Sequence, residues 1–332
     1  MIDFRYFLVT IAAVFLSIAT GLVLGAGPLG DVEDSAERPT AAPAELRERL
    51  VGLQQRASYA ERVAAAASAE SLAGKLDGRR VALVALPGAD GSTVRALADR
   101  LPSAGATVTR SLQVTDKWVD PRQRQFLDDL SADLITGQPA QRDRAAAAEP
   151  SEPAAGSAYD RAATVLAEAV FGRASGTRTG DSAGERSGDQ PADQSAEPDH
   201  STRILGAYDE GDLVRTGQDD GPAELAVVVA ADPVEHEAHV QRSDGAPWSA
   251  LARAFDRAGE GTVVAGPATA ARGTGALAVV RSDAAISSEV STVDVADAAL
   301  GPAVVVAALA EQADGDSGHY GTVGPIDGAM PG

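Results

Sequence analysis

The chain has 332 residues and a formal net charge of −20, from 28 Lys and Arg against 48 Asp and Glu. Affinity for nucleic acids rests largely on Lys and Arg that displace counterions from phosphates, so nucleic acid is not an expected partner. The absence of cysteine excludes disulfides, thiolate nucleophiles and Cys-ligated metal centres. The length allows one or two packed domains.

The first element is an uncharged run of residues, 7–26, that follows Arg5. A helix of this length spans the roughly 30 Å hydrocarbon core of a bilayer. The run is longer than the apolar core of a cleaved signal peptide, and Pro28 disfavours cleavage near Gly25, so we expect an uncleaved anchor. Because acidic residues follow the run, the positive-inside rule predicts a single pass with a cytoplasmic N-terminus and an extracytoplasmic body.

Small residues recur at every fourth position of this run and would share one helix face: Ala13, Ser17, Gly21 and Gly25. The last two form a GxxxG pattern, which lets two membrane helices approach closely and favours self-association. A helix rich in small residues also produces this spacing by chance. Gly25, Gly27 and Gly30 spell GxGxxG, but they end a membrane helix instead of joining a strand to a helix, so they do not indicate dinucleotide binding.

A second helical pattern follows a short spacer, with apolar or small residues at alternating spacings of four and three. The positions are Leu46, Leu50, Leu53, Ala57, Ala60 and Ala64, and Ala67 and Ser71 extend the series. This heptad pattern predicts a coiled coil and, with the membrane pattern, a parallel homodimer. Alanine weakens such a seam, so an amphipathic helix packed on its own domain is the alternative. Gly74 and Gly78 end the helix.

From Arg79 onwards apolar runs alternate with helical stretches, which predicts a mostly parallel sheet covered on both faces. The first strand, helix and second strand lie in 81–90, 92–101 and 106–114. Two further helices are predicted in 121–134, with proline in the first turn, and in 159–171. Strand and helix signals resume in 224–232, 247–259, 261–267 and 275–283, and a late helix lies in 295–312.

Residues 172–200 contain no aliphatic side chain larger than alanine, so they bury too little apolar area to offset the entropy of ordering. We therefore expect a disordered loop inside the α/β domain. The last twenty residues, rich in Gly, Pro and Asp, are predicted to be extended. The resulting division is an anchor (1–30), a juxtamembrane spacer and coiled-coil helix (31–78), an α/β domain (79–312) interrupted by the loop (172–200), and a tail (313–332).

Few residues suggest chemistry. The turn Pro87–Gly91 lies between a strand and a helix, where α/β proteins bind phosphate, but Asp90 would repel an anion, so Gly88 and Gly91 are interpreted as turn formers. No GxSxG, HExxH or Ser-x-x-Lys set is present, so we do not expect an enzyme, although carboxylates paired only by the fold stay open.

His236 and His239 would share one helical face and are the candidate metal ligands, although two ligands do not make a site and such pairs in acidic segments are usually solvated. Cu(I) prefers thiolates and thioethers, whereas the chain has no cysteine and Met1 and Met330 are its two methionines. Near the C-terminus, Gly318, His319, Tyr320 and Gly321 form a distinctive tetrapeptide that would dock on the body or face a ligand, with docking favoured.

The chain resembles the actinobacterial copper transporter family, also called the MctB family. The resemblance rests on residues 4–29, the heptad helix, residues 78–90 and the tetrapeptide 318–321. It implies an envelope protein linked to copper homeostasis and transport, for which the family is described as an outer-membrane channel. Copper is implied by the resemblance alone. Relatives that act as anchored regulators of cell-wall hydrolases imply an alternative, a dimeric single-pass scaffold that binds an envelope or cell-wall partner.

Overall fold

A computed structural model describes residues 71–136, 157–172, 200–233 and 246–332, with the single positions 49, 51, 52 and 55. The chain divides into two compact units, residues 1–56 and 57–332. Among the described residues no helix has the length and apolar character needed to cross a membrane. The predicted anchor (1–30) and residues 173–199 of the predicted loop lie outside the described residues. So do the following predicted positions, which stay predictions: Ala13, Ser17, Gly21, Gly25, Leu46, Leu50, Leu53, Ala57, Ala60, Ala64, His236 and His239.

Seven strands in the described part of the chain form one sheet. They are β1 (Arg80–Ala85), β2 (Thr107–Val114), β3 (Val214–Asp219), β4 (Leu225–Val229), β5 (Gly261–Ala265), β6 (Ser291–Val293) and β7 (His319–Tyr320). Their order across the sheet is β3-β2-β1-β4-β5-β6-β7. Neighbouring strands run parallel except for β2 and β3, which are antiparallel. The mostly parallel sheet predicted from the sequence is confirmed.

The helices of the same residues are α1 (Gly91–Ser103), α2 (Asp116–Val119), α3 (Arg124–Thr136), α4 (Ser157–Phe171), α5 (His200–Glu210), α6 (Ala246–Ala258), α7 (Ala276–Ser282), α8 (Ala284–Ser287) and α9 (Gly301–Ala313). A 3₁₀ turn covers Ala268–Ala271. The predicted helices in 92–101, 159–171 and 247–259 are confirmed by α1, α4 and α6. Pro121 precedes α3 instead of lying in its first turn.

The topology is doubly wound, because the chain builds β1, β2 and β3 outwards and then returns to place β4 against the free side of β1. Strands in the middle of such a sheet are covered on both faces and therefore read as continuous apolar runs. Strands β4 and β5, with the sequences LAVVV and GTVVA, are buried at every position. This burial explains why the sequence pattern located them.

Two hydrophobic layers enclose the sheet. One contains Trp118, Tyr208 and Phe255 together with side chains of α4, α5 and α6, and its aromatic rings pack in pairs, with Trp118 and Tyr208 centroids 5.8 Å apart. The opposite layer is built from α1 and α9 and includes Leu97 and Leu309. Both layers belong to the unit that contains residues 57–332.

The sequence pattern does not predict three of the strands. Strand β3, VRTGQD, is mostly exposed and polar, β6 has three residues and β7 has two, so none carries a strand-length apolar run. The apolar segment 275–283 forms helix α7. The late helix begins at Gly301, after turns in the preceding residues, and Pro302 lies in its first turn. Within the predicted tail, residues 313–332, α9 ends at Ala313 and β7 joins the sheet.

At the β3 edge of the sheet, a buried arginine side chain joins β2 to neighbouring elements, and the strand register is irregular. Arg110 on β2 is almost fully buried; its Nε donates to the carbonyl of Gly221 at 2.9 Å and its Nη1 to that of Ala169 in α4. The β2–β3 register shifts between Arg110 and Leu112. The Thr216 amide donates to Asp209 Oδ1 at 3.4 Å, so part of this edge is unavailable for pairing with another strand.

Candidate functional site

The turn after β1 lies where a doubly wound sheet most often binds ligands, beside the point at which the strand order reverses. Asp90 forms the N-cap of α1: its carboxylate accepts hydrogen bonds from the Thr93 amide at 2.9 Å and from the Ser92 hydroxyl. These bonds, led by that of Ser92, lower the pKa of Asp90 to about 2. An anionic side chain therefore occupies the helix end that would otherwise receive a phosphate. Gly88 has φ +77°, as a turn requires.

A metal centre has little support among the described residues. No group of three or more His, Cys, Asp or Glu is close enough there to hold an ion. His236 and His239, the candidate ligands, lie outside that part of the chain. Whether this chain suits a bound copper ion is therefore judged from its donor atoms. These include none of the thiolates that Cu(I) prefers.

The most elaborate polar cluster lies at the carboxyl end of β6. Asp294 is fully buried and Arg281 of α7 is 4% exposed, with Nη1 and Oδ2 2.9 Å apart. The amides of Thr322 and Val323 donate to the two carboxylate oxygens of Asp294 at 2.7 and 3.0 Å. Arg281 in turn donates to the carbonyls of Tyr320 and Val323. Each charged group thus finds the hydrogen-bond partners that burial demands.

The tetrapeptide Gly318–Gly321 is the segment that docks against this cluster. Residues His319 and Tyr320 form β7, which runs parallel to β6. Tyr320 is buried, and its hydroxyl donates to Glu311 Oε2 of α9 at 2.6 Å. In the structure, the tetrapeptide therefore packs against the body of the protein.

Both glycines of the tetrapeptide are required by close approach. A Cβ on Gly318 would lie 2.2 Å from the Tyr320 hydroxyl oxygen, and a Cβ on Gly321 would lie 2.0 Å from Asp294 Oδ1. Gly321 also has φ +134°, a conformation that disfavours other residues. The spacing of the two glycines was the sequence signal for this contact.

The His319 ring and Arg281 share the hydroxyl of Thr292. Its Nδ1 lies 3.0 Å from Thr292 Oγ1, and that hydroxyl oxygen accepts a bond from Arg281 Nε at 2.7 Å. The Thr292 hydroxyl thus links the imidazole to the buried guanidinium of Arg281. Burial, and then the Arg281 charge, lower the pKa of His319, while Asp327 opposes the shift.

Sequence reasoning missed Arg281, Asp294 and Thr292. They lie in different elements, and the cluster exists only because β6, α7 and the tail meet. One local signal was present, since Asp294 lies between Val293 and Val295 directly after β6. A charged residue at the end of a buried strand needs a partner, but the sequence does not say which residue supplies it.

Replacing Gly321 by alanine tests whether the tail must approach Asp294 so closely. We expect Gly321→Ala to lower the free energy of unfolding by about 2 kcal/mol or more, because the new methyl group meets Asp294 and the backbone is strained. Thermal and urea unfolding followed by circular dichroism measure the loss. Gly328→Ala is the matched control, since its Cβ would meet no atom closer than 3.4 Å. Equal stability of the two variants would contradict the prediction.

The lowered pKa of His319 predicts a pH dependence of stability. The unfolded chain takes up the imidazole proton near pH 6.5, whereas the folded chain does so at a lower pH. Stability contributed by the neutral ring is therefore complete above about pH 7 and falls as the pH drops through 6.5 towards the folded pKa. In urea unfolding at pH 7.5 and pH 5.5, His319→Gln should lose less stability on acidification than the wild type. An equal loss in both would contradict this assignment.

Comparison with known proteins gives the family. The model of the MctB family, described as "Copper transport outer membrane protein, MctB", matches residues 1–331. A relative named "Copper transporter MctB" from Mycobacterium tuberculosis (strain ATCC 25618 / H37Rv) is 28% identical over 335 residues, covering 97% of this chain and 96% of its own. The protein of that name from Mycobacterium leprae (strain TN) is 28% identical over 338 residues, covering 99% and 98%. This chain belongs to the MctB family.

Proposed function

We propose that this chain serves copper handling in the cell envelope, as a protein anchored by residues 7–26 with its α/β body outside the cytoplasm. The observation that carries the proposal is the family match over residues 1–331. The hydropathy of residues 7–26 and the position of Arg5 support the single-pass orientation. The family description supports an envelope location and names the outer membrane, which is the alternative to a cell-membrane anchor.

Within this role, the body acts by contact with another protein instead of by holding copper itself. The buried side chains of Arg110, Arg281 and Asp294 are engaged in contacts that join elements of the fold. The N-terminus of α1 is capped by Asp90. The absence of cysteine from the whole chain also weighs against a relay of Cu(I) between thiolates.

Copper binding and copper tolerance test this proposal together. Calorimetric titration of the full chain in detergent with Cu(I) and with Cu(II) should show no binding at micromolar concentrations. Deletion of the gene in the native bacterium should lower copper tolerance. Both the wild type and the His236→Ala/His239→Ala variant should restore it, because the proposed role does not use these imidazoles.

Two results would contradict the proposal. Unchanged copper tolerance after deletion of the gene would contradict the role in copper handling. Micromolar copper binding that is lost in the His236→Ala/His239→Ala variant would show that the chain binds the metal directly instead of acting through a partner.

The second candidate function is a dimeric single-pass scaffold that binds and regulates a cell-wall hydrolase or a division partner. The heptad positions Leu46, Leu50 and Leu53 favour it, because leucine at seam positions buries enough area to hold two helices together. The GxxxG pair Gly21 and Gly25 supports association in the membrane. Crosslinking in intact cells separates the two functions, since one predicts recovery of a copper-handling protein and the other a cell-wall enzyme.

The dimer itself is tested by cysteine crosslinking, for which a cysteine-free chain is a clean background. Leu50→Cys, at a seam position, should give a disulfide-linked dimer under mild oxidation of the full chain in detergent. Val51→Cys is the matched control, since Val51 is exposed and lies one position off the seam. A monomer by light scattering, with no crosslink from Leu50→Cys, would contradict the parallel dimer.

A further inference from the structure

One face of the sheet carries an open groove beside α1. Two adjoining depressions of about 490 and 390 Å³ share Leu83, Ala98 and Ser111 as lining residues and therefore form one channel. It runs from Thr107, at the start of β2, to Gln113 near its end. Seven residues of strand correspond to about 20 Å. We call it the α1–β3 groove.

The groove occupies a position where a layered α/β protein would place a helix. On this face α1 and α9 pack over the centre of the sheet, whereas Gln113 of β2 and Gly217 of β3 are exposed. On the opposite face α5 packs against β3. Within the described residues, the layer that contains α1 therefore ends one helix short of the β3 edge.

The dimensions and the floor of the groove suit a helix. Ser111 and Gly217 on the strands and Ala98 on α1 have short side chains, which permit the interaxial distances of about 8–10 Å found between packed helices. A length of about 20 Å corresponds to roughly 13 residues of helix. A helix of that length would also cover the apolar Val94, which lines the groove from α1.

The charges on the two walls of the groove determine which charge a helix bound there should carry. Arg95 lines the groove from α1 and Arg215 from β3, and no salt bridge of the described residues involves Arg95. Arg215 lies 3.5 Å from Asp212, whose carboxylate is also bound by Lys117 at 3.2 Å. Two arginines therefore line one groove in a chain of net charge −20.

No acidic residue is among the described residues that line the groove, and the Asp212 carboxylate beside Arg215 is shared with Lys117. The carboxylate of Asp90 is directed into the first turn of α1, where it caps Thr93. Asp99 lines a different cleft of α1, which faces α9. The local field thus favours an anionic occupant.

We propose that the α1–β3 groove is the docking site for an acidic amphipathic helix of another envelope protein. The small or apolar face of that helix packs on Ala98, Ser111 and Gly217, and its carboxylates pair with Arg95 and Arg215. Arg–carboxylate pairs at the two walls fix the register of the helix, and burial of its apolar face supplies the affinity. The inference rests on the partner-binding role proposed above and names the chemistry of the partner.

A synthetic peptide tests the groove directly. The probe is a fluorescein-labelled 16-residue helical peptide of Ala, Leu and Glu, measured by fluorescence anisotropy against the full chain in detergent, and the comparison peptide carries Lys in place of Glu. The Glu peptide should bind, more weakly at high salt, and the Lys peptide should not. Arg95→Glu/Arg215→Glu should weaken binding at least tenfold, and Ser111→Trp, which fills the floor, should abolish it.

The control is Arg272→Glu, an exposed arginine after the 3₁₀ turn, which should bind the Glu peptide as the wild type does. Unchanged melting temperatures show that each variant is folded. Equal binding of the Glu and Lys peptides, or equal binding by the wild type and both groove variants, overturns the proposal.

In cells, a photo-crosslinking amino acid at Ala98 identifies the natural occupant. A crosslink within an acidic helical segment of another protein, lost in Arg95→Glu/Arg215→Glu, supports the proposal. A crosslink to a second copy of this chain, or none, overturns it. The outcome is distinguishable from failure of the proposed function: if the double arginine variant restores full copper tolerance to the deletion strain, the groove is wrong and the copper role stands.

Discussion

The buried pair of Arg281 and Asp294 is the interaction on which the far side of the sheet depends. Placing two charges away from water is costly unless their geometry and remaining hydrogen bonds are complete. Here the tail completes them, because Thr322 and Val323 donate their amides to the carboxylate and Tyr320 and Val323 accept from the guanidinium. Removing one partner of such a pair costs about 3–5 kcal/mol. Strand β6, helix α7 and the tail are therefore stable only together.

The two edges of the sheet are closed by different means. At the β7 edge the chain folds back, so that the Gly321 amide donates to the Gly328 carbonyl and Asp327 bonds to the backbone of His319. At the β3 edge a shifted register and the bond from Thr216 to Asp209 interrupt the ladder. An open edge invites pairing with other chains. With both edges restricted, the exposed face of the sheet next to α1 becomes the more accessible surface for a partner.

The sequence predicts those parts of the fold whose burial is symmetric. Strands β1, β4 and β5 are covered on both faces, so their apolar runs identified them, and α1, α4 and α6 carry helical patterns of their own. Strand β3 is an exposed edge and β7 is two residues long, so neither could be read from composition. In the candidate site, Gly318 and Gly321 were visible as a motif. Asp294 and Arg281 were not, because their pairing is a property of the three-dimensional arrangement.

A doubly wound sheet does not by itself imply nucleotide binding, since function depends on the residues at the strand ends. In this chain Asp90 caps α1 with its own carboxylate. The position that other proteins of this topology offer to a phosphate is thus satisfied internally.

The docking of the tail has a consequence for the order in which the protein is made. The donors that complete the shell of Asp294 belong to Thr322 and Val323, which follow it in the chain by 28 and 29 residues. A nascent chain that has not yet released these residues leaves a buried carboxylate without two of its partners. The β6 side of the body therefore cannot close until residues 322 and 323 are free to fold against it, however early the strands in the middle of the sheet form.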